Sequence, residues 1–296
     1  MTTIARRAFR DLLAGDRIIT QPVAFDALSA LLVRRHGFHA VGLGGFQMGS
    51  HLGVSEPLLG LADIAAVTRS VTAASEDLAV MVDAGAGYGE PLHVAHSVRV
   101  LEDAGAASIH IEDQIYPKRA HYHKGIEHVL SAEEMVQKIE TAVQARRDPD
   151  FAIVARSDAM RTNSYEEGIR RAHMYVEAGA DVIMLFPNDD DEARRAPRDL
   201  SGVPLTYVNS AGNRLGRPVY SVDALHRMGY KIAIFTIALS IAAVNAIDAV
   251  LMALEQDGTL PIEPEAMVAG RQLIEDAIGL DRLYALESAT VERTPA

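Results

Sequence analysis

The most informative segment of the chain is residues 109–119, IHIEDQIYPKR, where an alternating apolar run ends in two acids and opens into a basic loop. Because side chains alternate along a strand, this pattern predicts a buried strand that delivers the carboxylate of Glu112 to its carboxyl end. The following loop carries His121, Tyr122 and His123. We expect it to form a movable lid over a site, because such loops often cover active sites.

His121, Tyr122 and His123 are the candidate catalytic residues of the lid. Imidazole titrates near neutral pH, so a histidine placed over a substrate can donate or accept a proton. The alternative is an exposed polar loop, and the chain has 11 histidines, so a structural role suffices for any one of them. The sequence contains neither an HExxH zinc helix nor an order of residues that argues for a Ser-His-Asp triad.

Three carboxylates are candidate metal ligands, namely Asp83 and Glu112 at strand ends and Glu56 on the loop after the second strand. Oxygen ligands suit a hard divalent cation. Mg²⁺ fits best, because it is commonly held by one or two carboxylates together with substrate and several waters, and Mn²⁺ accepts the same ligands. Each acid taken singly could instead cap a helix or pair with an arginine. For Asp83 and Glu112 together, the functional interpretation is favoured.

The candidate substrate-binding groups also lie at predicted strand ends. Arg156 ends a buried strand and needs an anionic partner, either one of the site's own acids or a substrate carboxylate, which we favour. Gly44 and Gly45 leave backbone amides open to a carboxylate or phosphate, although glycine in tight turns is also common for structural reasons. Asn188 and Asn209 follow the sixth and seventh predicted strands.

Eight short β-rich runs alternate with helical patterns along the chain. Most are nearly continuous apolar runs, as expected for parallel strands covered on both faces. The alternation predicts an α/β fold of the (β/α)8 TIM-barrel type, with a doubly wound open sheet as the alternative. In a barrel the active site lies at the carboxyl ends of the strands, where the candidate residues fall. The predicted strands are 17–21, 40–44, 78–83, 107–112, 151–156, 182–186, 205–208 and 231–235.

Capping patterns mark the beginnings of two helices. Ser131 with Glu134, and Ser164 with Glu167, have the spacing of a capping box, in which each residue's side chain bonds the other's backbone amide. We therefore expect helices to begin directly after both serines.

The segment after the eighth strand contains two helical patterns, 237–256 and 264–286, which is more than one barrel helix requires. We interpret the apolar run 232–254 as a strand followed by a buried helix, not as a membrane span, because polar residues interrupt it. We expect a single barrel domain over residues 1–296, with residues 256–296 as a C-terminal helical extension that contributes to subunit contacts.

Composition excludes several classes of protein. With 296 residues and 49% hydrophobic content, the chain can bury a large core and is not disordered. Its formal charge of -12 argues against nucleic acid or an anionic membrane as a partner. The chain has no cysteine, which excludes disulfides, thiolate catalysis and cysteine-ligated zinc. No continuous apolar signal segment precedes the barrel pattern, so we expect a cytoplasmic location.

Motifs in a fixed order resemble those of the isocitrate lyase and phosphoenolpyruvate mutase superfamily. They are DAGAGYG at 83–89, IEDQ at 111–114 with PKR at 117–119, and ARSDA at 155–159, and the similarity extends over residues 5–255. The resemblance implies a (β/α)8 barrel that exchanges its last helix between subunits. It also implies a homotetramer built as a dimer of dimers, and Mg²⁺ chelated by a small 2-oxo or 2-hydroxy carboxylate substrate.

The resemblance further implies a role for each candidate residue. These roles are a direct metal ligand for Asp83, a ligand acting mainly through water for Glu112, the acidic residue of the second loop for Glu56, the carboxylate-binding turn for Gly44 and Gly45, and a substrate contact for Arg156.

The departures from the superfamily pattern bear on the substrate. Gly85 stands where members commonly have a second aspartate, which removes one negative charge from the metal site. The lyases' lid motif, Lys-Lys/Arg-Cys-Gly-His, supplies a proton from its cysteine, whereas residues 118–123 read KRAHYH. Asn188 replaces a glutamate, and residues 207–213 lack a match for a substrate-facing Asn and Glu. We therefore expect a substrate other than isocitrate or methylisocitrate.

The expected activity is magnesium-dependent cleavage of a carbon–carbon bond in a small 2-hydroxy or 2-oxo dicarboxylate, by retro-aldol cleavage or decarboxylation. Metal and backbone amides would stabilise the enolate. In a retro-aldol reaction His121, Tyr122 or His123 would replace the missing thiol, whereas a decarboxylase could use water.

Two alternatives remain open from the sequence. One is a phosphonopyruvate hydrolase or a phosphoenolpyruvate or carboxyphosphonoenolpyruvate phosphonomutase, in which Arg214 and Arg217 would meet the phosphonate. The other is a non-catalytic barrel that binds a metabolite, which the departures at Gly85 and Asn188 suggest.

Overall fold

The computed structural model describes residues 4–213 and 215–292. Eight parallel strands pair in chain order and the eighth pairs with the first, so the sheet is a closed barrel. This confirms the predicted (β/α)8 architecture and excludes the open sheet. The strands are β1 Ile19–Ala24, β2 Ala40–Leu43, β3 Ala79–Asp83, β4 Ser108–Glu112, β5 Ala152–Arg156, β6 Val182–Leu185, β7 Leu205–Asn209 and β8 Ile232–Phe235.

Seven of the eight predicted strands agree with the structure to within one residue at each end. The exception is β1, which was predicted over 17–21 and extends to Ala24. Proline lacks an amide hydrogen and usually interrupts a central strand, yet β1 continues through Pro22, which is in register with Phe235 of β8.

The helices surround the barrel and alternate with its strands. Within the described residues they are α1 Ile4–Ala14, α2 Ala27–Arg35, α3 Gly45–Leu52, α4 Leu61–Ala74, α5 Pro91–Asp103, α6 Ala132–Ala145, α7 Ala159–Thr162, α8 Tyr165–Glu177, α9 Asp190–Asp199, α10 Val222–Met228, α11 Ala238–Asp257, α12 Pro264–Ile278 and α13 Leu280–Ala289, with 3₁₀ turns at Glu56–Leu58 and Ala120–Lys124.

The two predicted capping boxes have different outcomes. At α6 the box is complete, because the Glu134 amide donates to Ser131 Oγ at 3.2 Å and the Ser131 amide donates to the Glu134 carboxylate at 3.1 Å. At α8 the Ser164 hydroxyl accepts from the Glu167 amide, but the Glu167 carboxylate pairs with Arg171 instead. Both serines therefore begin helices, and only the first pair forms the reciprocal box.

Helix α1 closes the amino-terminal end of the barrel. Phe9, which is 1% exposed, packs among the apolar side chains that fill the barrel interior. Arg6 pairs with Asp148 at 3.0 Å and Arg10 pairs with Asp181 at 2.7 Å, and both acids lie just before the strands that follow them. With this end covered, the carboxyl ends of the strands form the open mouth.

The C-terminal helices differ from the prediction. The pattern over 264–286 is two helices, because Gly279 adopts a left-handed conformation with φ 72° and ends α12. The expectation of a buried helix after β8 is wrong within one chain. Leu239 packs against the barrel core, but Ile247 and Leu251 are 59% and 58% exposed and no residue of α11 is buried. By length and composition alone, α11 is apolar enough to cross a membrane.

Candidate active site

A cavity of about 430 Å³ lies at the mouth of the barrel, at the carboxyl ends of the strands. The lining side chains and backbone come from strand ends, from α3 and from the lid. Of the residues predicted from the sequence, the cavity is lined by Gly44, Gly45, Glu56, Asp83, Tyr122, His123 and Arg156. Glu112 is fully buried beside this lining.

Three neighbouring strands bring the central charges together. β3, β4 and β5 end at Asp83, Glu112 and Arg156, and the register places Glu112 directly beside Arg156. Arg156 Nη1 lies 3.1 Å from Glu112 Oε2, and its Nη2 lies 3.1 Å from Asp158. The anionic partners of Arg156 in this structure are therefore the site's own acids, although its guanidinium also faces the cavity.

Lys118 lies between two of the predicted metal ligands. Its Nζ is 2.5 Å from Glu56 Oε1 and 3.0 Å from Glu112 Oε1, and it sits 4.1 Å from the centre of the Tyr122 ring. Burial opposes the ammonium, but Glu112 and Glu56 outweigh it and raise the pKa of Lys118 well above its usual value. Sequence reasoning placed Lys118 in a motif without assigning it a role.

Asp83 is the carboxylate of the three that has no lysine or arginine at ion-pair distance among the described residues. It accepts hydrogen bonds from the amides of Gly45 at 3.0 Å and Gly85 at 2.9 Å. Burial alone would raise its pKa, but His110, Lys118 and other nearby groups reverse the effect and hold the pKa well below its usual range. Burial lowers the pKa of His110, so this histidine is neutral near pH 7. The pKa of Asp83 is then held low near pH 7 by cations such as Lys118.

These residues fit a divalent cation held by few protein ligands. Within 4–213 and 215–292, no three His, Cys, Asp or Glu side chains are grouped closely enough to hold a metal by themselves. Lys118 contacts both Glu56 and Glu112, so the assignment of all three carboxylates to a metal stays a prediction. Asp83 has neither lysine nor arginine at ion-pair distance among the described residues, and a Cβ built on Gly85 would meet no atom within 4 Å. One carboxylate with room for waters and substrate oxygens matches the preference of Mg²⁺.

Gly44 and Gly45 are required by close approach. A Cβ on Gly45 would lie 2.9 Å from Glu56 Oε1, and one on Gly44 would overlap the side chain of Gln47. The Gly45 amide already donates a hydrogen bond to the Asp83 carboxylate, so this turn positions that carboxylate.

The lid brings two of its three candidates to the cavity. The Tyr122 hydroxyl accepts a hydrogen bond from Arg156 Nη2 at 3.0 Å, and the His123 ring packs edge-on against Phe46 at 5.7 Å. His121 is exposed and lies on the outer side of the lid, in a shallow surface depression with Arg119. The structure therefore places Tyr122 and His123, but not His121, at the site.

Asn188 and Asn209 do not line the cavity. Asn188 is exposed and its amide group bonds Met160 and Glu192, whereas Asn209 is buried and both ends of its side chain bond the backbone of Tyr220. These bonds direct both side chains away from the cavity in this structure, and their contact with substrate stays a prediction.

The sequence model of the phosphoenolpyruvate phosphomutase family matches residues 9–255, which is more than half of the chain. The protein belongs to this family. The resemblance to the isocitrate lyase and phosphoenolpyruvate mutase superfamily is thereby confirmed, and the barrel is that of an enzyme of this superfamily.

Relatives and solved structures of this family cover nearly the whole chain. The chain is 34% identical over 290 residues to 2,3-dimethylmalate lyase of Eubacterium barkeri, which covers 97% of this chain and 98% of that protein. Oxaloacetate acetylhydrolase in complex with 3,3-difluorooxalacetate superposes with a TM-score of 0.89 at 28% identity, covering 98% of each chain. Phosphonopyruvate hydrolase with oxalate and Mg²⁺ has a TM-score of 0.85 at 27% identity, covering 98% and 100%.

Sequence reasoning missed two cavity residues of this family member, Glu127 and Arg161. Glu127 lies on the lid with its side chain 3% exposed, and its Oε1 is 2.8 Å from Arg161 Nη2. Burial and the nearby Asp158 raise the pKa of Glu127 to about 7. One helix and one strand separate Glu127 from Arg161 along the chain, so the sequence gives no signal of their contact.

Replacing Lys118 with methionine should destabilise the protein strongly. The change leaves Glu56 and Glu112 buried without their shared cation, and breaking a buried pair from one side costs about 3 to 5 kcal/mol. Urea denaturation would measure the free energy of unfolding, with Lys124→Met, an exposed lysine of the same lid, as the matched control. Equal stability of the two variants would contradict the role assigned to Lys118.

Replacing Glu127 with glutamine should flatten the dependence of stability on pH. Because the pKa of Glu127 is raised from 4.5 to about 7, the folded state binds more protons than the unfolded state in this window. Its stabilising contribution is present below about pH 4.5 and is lost as the pH rises through about 7. Urea denaturation at a series of pH values should show a smaller decrease for Glu127→Gln than for the wild type.

The exposed Glu133→Gln variant on α6 controls for the loss of one carboxylate. If Glu127→Gln keeps the wild-type slope, Glu127 does not titrate in the assigned window.

Proposed function

We propose that this protein is a magnesium-dependent lyase that cleaves a carbon–carbon bond of a small 2-hydroxy or 2-oxo dicarboxylate through an enolate. The observation that carries the proposal is an ionised Asp83 at the base of the cavity, fixed by two backbone amides and lying near two buried cations. The substrates for which two relatives are named, dimethylmalate and oxaloacetate, are small dicarboxylates, which supports this substrate class.

Asp83 would hold Mg²⁺ or Mn²⁺ directly, with Glu112 and Glu56 reaching it through water. The bound metal supplies positive charge to the oxygen that becomes negative during cleavage. The affinity of the site for the metal and for an anionic substrate also depends on the other charged side chains around Asp83. Lys118 and Arg156 pair with Glu112 and offset its negative charge, which would otherwise repel an anionic substrate.

The lid would exclude water and supply a proton. Because Tyr122 Oη accepts a hydrogen bond from Arg156, its own hydroxyl hydrogen can be donated into the cavity. His123 lies beside it with the ring centroids 5.4 Å apart, and an imidazole nitrogen is the second candidate donor. Arg156 would orient the substrate carboxylate and the Tyr122 hydroxyl together.

We also propose that the chain is one barrel domain over residues 1–296 whose C-terminal extension, residues 256–296, pairs with another copy. Exchange of the last helices and a dimer of dimers would cover apolar side chains that one barrel leaves exposed. A cytoplasmic enzyme of this kind needs no membrane to bury α11. The exposed apolar residues include Ile247, Leu251, Met267, Val268, Ile274, Ile278, Leu283 and Leu286.

The alternative function is phosphonate chemistry by a hydrolase or a phosphonomutase. It is supported by the likeness to phosphonopyruvate hydrolase and by Arg217, which lines the cavity. The other arginine invoked for the phosphonate, Arg214, lies outside the described residues.

Incubation with Mg²⁺ and a panel of 2-hydroxy, 2-oxo and phosphono acids should release pyruvate, glyoxylate or CO₂ from at least one dicarboxylate. EDTA should abolish this turnover, and Mg²⁺ or Mn²⁺ should restore it, because the metal carries the developing charge. Release of phosphate from phosphonopyruvate would instead establish the alternative function. Full activity in EDTA would refute the metal assignment.

Removing the lid donors should slow a retro-aldol reaction. The double variant Tyr122→Phe with His123→Ala should lose about 10²- to 10⁴-fold in kcat, the usual contribution of a general acid. His128→Ala, an exposed histidine on the outer face of the lid, is the matched control. A double variant with the wild-type rate would rule out an internal acid and favour protonation by water.

A further inference from the structure

Three arginines surround one aromatic ring on the wall of the cavity. The guanidinium carbons of Arg156, Arg161 and Arg217 lie 4.7, 4.2 and 5.2 Å from the centre of the Phe186 ring. All three side chains and the ring line the cavity. This wall therefore concentrates positive charge next to the space in which a substrate would lie.

Two of the three arginines are neutralised by the protein itself. Arg156 pairs with Asp158 and Glu112, both at 3.1 Å, and Arg161 pairs with Asp158 at 2.5 Å and with the lid residue Glu127. Burial opposes the charge of both arginines, but Asp158 outweighs it and raises their pKa. Both arginines therefore already have carboxylate partners within the protein.

Arg217 differs from its two neighbours. It is 6% exposed, its Nε donates to the Pro187 carbonyl at 2.8 Å, and its Nη1 lies 3.5 Å from the Val208 carbonyl. Its Nη2 is buried without a hydrogen-bond partner, and no described carboxylate lies at ion-pair distance. Burial lowers the pKa of the guanidinium. A buried guanidinium without an anionic partner destabilises the folded protein, and binding an anion would offset this cost.

The position of Arg217 relative to Asp83 follows from the barrel order. Arg217 lies in the loop after β7, whereas Asp83 ends β3, and four strands separate β3 from β7 in a closed barrel of eight. The two groups therefore face the cavity from opposite sides. A small diacid with one end at Asp83 would direct its other end toward Arg217.

We propose that Arg217 Nη2 binds the second carboxylate of the substrate and thereby selects a dicarboxylate over a monocarboxylate. The proposal rests on the proposed function, in which the 2-oxo or 2-hydroxy acid end lies at Asp83. A carboxylate fits better than a phosphonate, because a single uncompensated guanidinium matches one negative charge and the neighbouring arginines are already paired.

The test compares three probes by isothermal titration calorimetry with Mg²⁺ present. Oxalate carries only the groups of the Asp83 end, 3,3-difluorooxaloacetate adds a distal carboxylate, and 3-phosphonopyruvate adds a distal phosphonate. Arg217→Gln should weaken the difluorooxaloacetate complex by about 10- to 100-fold, the worth of one hydrogen bond to a charged group. The Kd of Arg217→Gln for oxalate should stay within about twofold of the wild type, because Arg217 is distant from the Asp83 end where oxalate would bind.

Two further variants separate binding from folding and from net charge. Arg217→Lys keeps the charge and should recover part of the lost affinity, and Arg227→Gln removes an exposed arginine of α10 and should change neither Kd. Unchanged oxalate binding by Arg217→Gln shows that the mouth of the barrel is still folded.

Each remaining outcome decides the matter. An equal loss of oxalate and difluorooxaloacetate binding would mean that Arg217 only supports the loop, and no loss of either would exclude the contact. A larger loss for 3-phosphonopyruvate than for difluorooxaloacetate would overturn the assignment to a carboxylate. Failure of the wild type to bind oxalate with Mg²⁺ would instead refute the proposed function itself.

Discussion

The mouth of the barrel depends on the ammonium of Lys118, held between the carboxylates of Glu56 and Glu112. Acids brought this close in a region of low dielectric repel one another, and burial favours their neutral forms. Glu56 shows this tendency, because burial raises its pKa in spite of Lys118. The cation, together with Arg156, offsets enough of the repulsion for Asp83 to remain ionised.

The same arrangement explains the local backbone. Gly45 approaches Glu56 so closely that a side chain would displace it from Lys118, and the amides of Gly45 and Gly85 are donated to the Asp83 carboxylate. A few hydrogen bonds and ion pairs therefore connect the loops after β2, β3 and β4. A substitution in one of these loops should therefore shift the Asp83 carboxylate, which we assign to the metal.

Much of the fold was predictable because parallel strands covered on both faces leave continuous apolar runs, and seven strands were placed to within a residue. β1 was cut short at Pro22, where local propensity and the closed barrel disagree. The exposure of α11 was not predictable, because an apolar helix has the same sequence pattern whether it packs on its own barrel or leaves its apolar side chains exposed.

The site was predictable only for residues that lie at the ends of strands. Asp83, Glu112 and Arg156 end consecutive strands and so had to meet. The position of Lys118 depends instead on how the loop after β4 folds back over the loop after β2, and sequence spacing carries no such distance. Asn188 and Asn209 follow strands as well, but Asn188 bonds the Met160 carbonyl and Asn209 bonds the Tyr220 carbonyl, and both side chains are directed away from the cavity.

We propose that Asp83 holds the metal directly, because Lys118 already pairs with Glu56 and Glu112. Titration with Mn²⁺ in the presence of oxalate, followed by the electron paramagnetic resonance signal of the free ion, tests it most directly. We expect Asp83→Asn to take up no Mn²⁺, whereas Glu112→Gln and Glu56→Gln should bind it about 10- to 100-fold more weakly than the wild type. Uptake by Asp83→Asn at the wild-type level, or an equal and complete loss in all three variants, would contradict it.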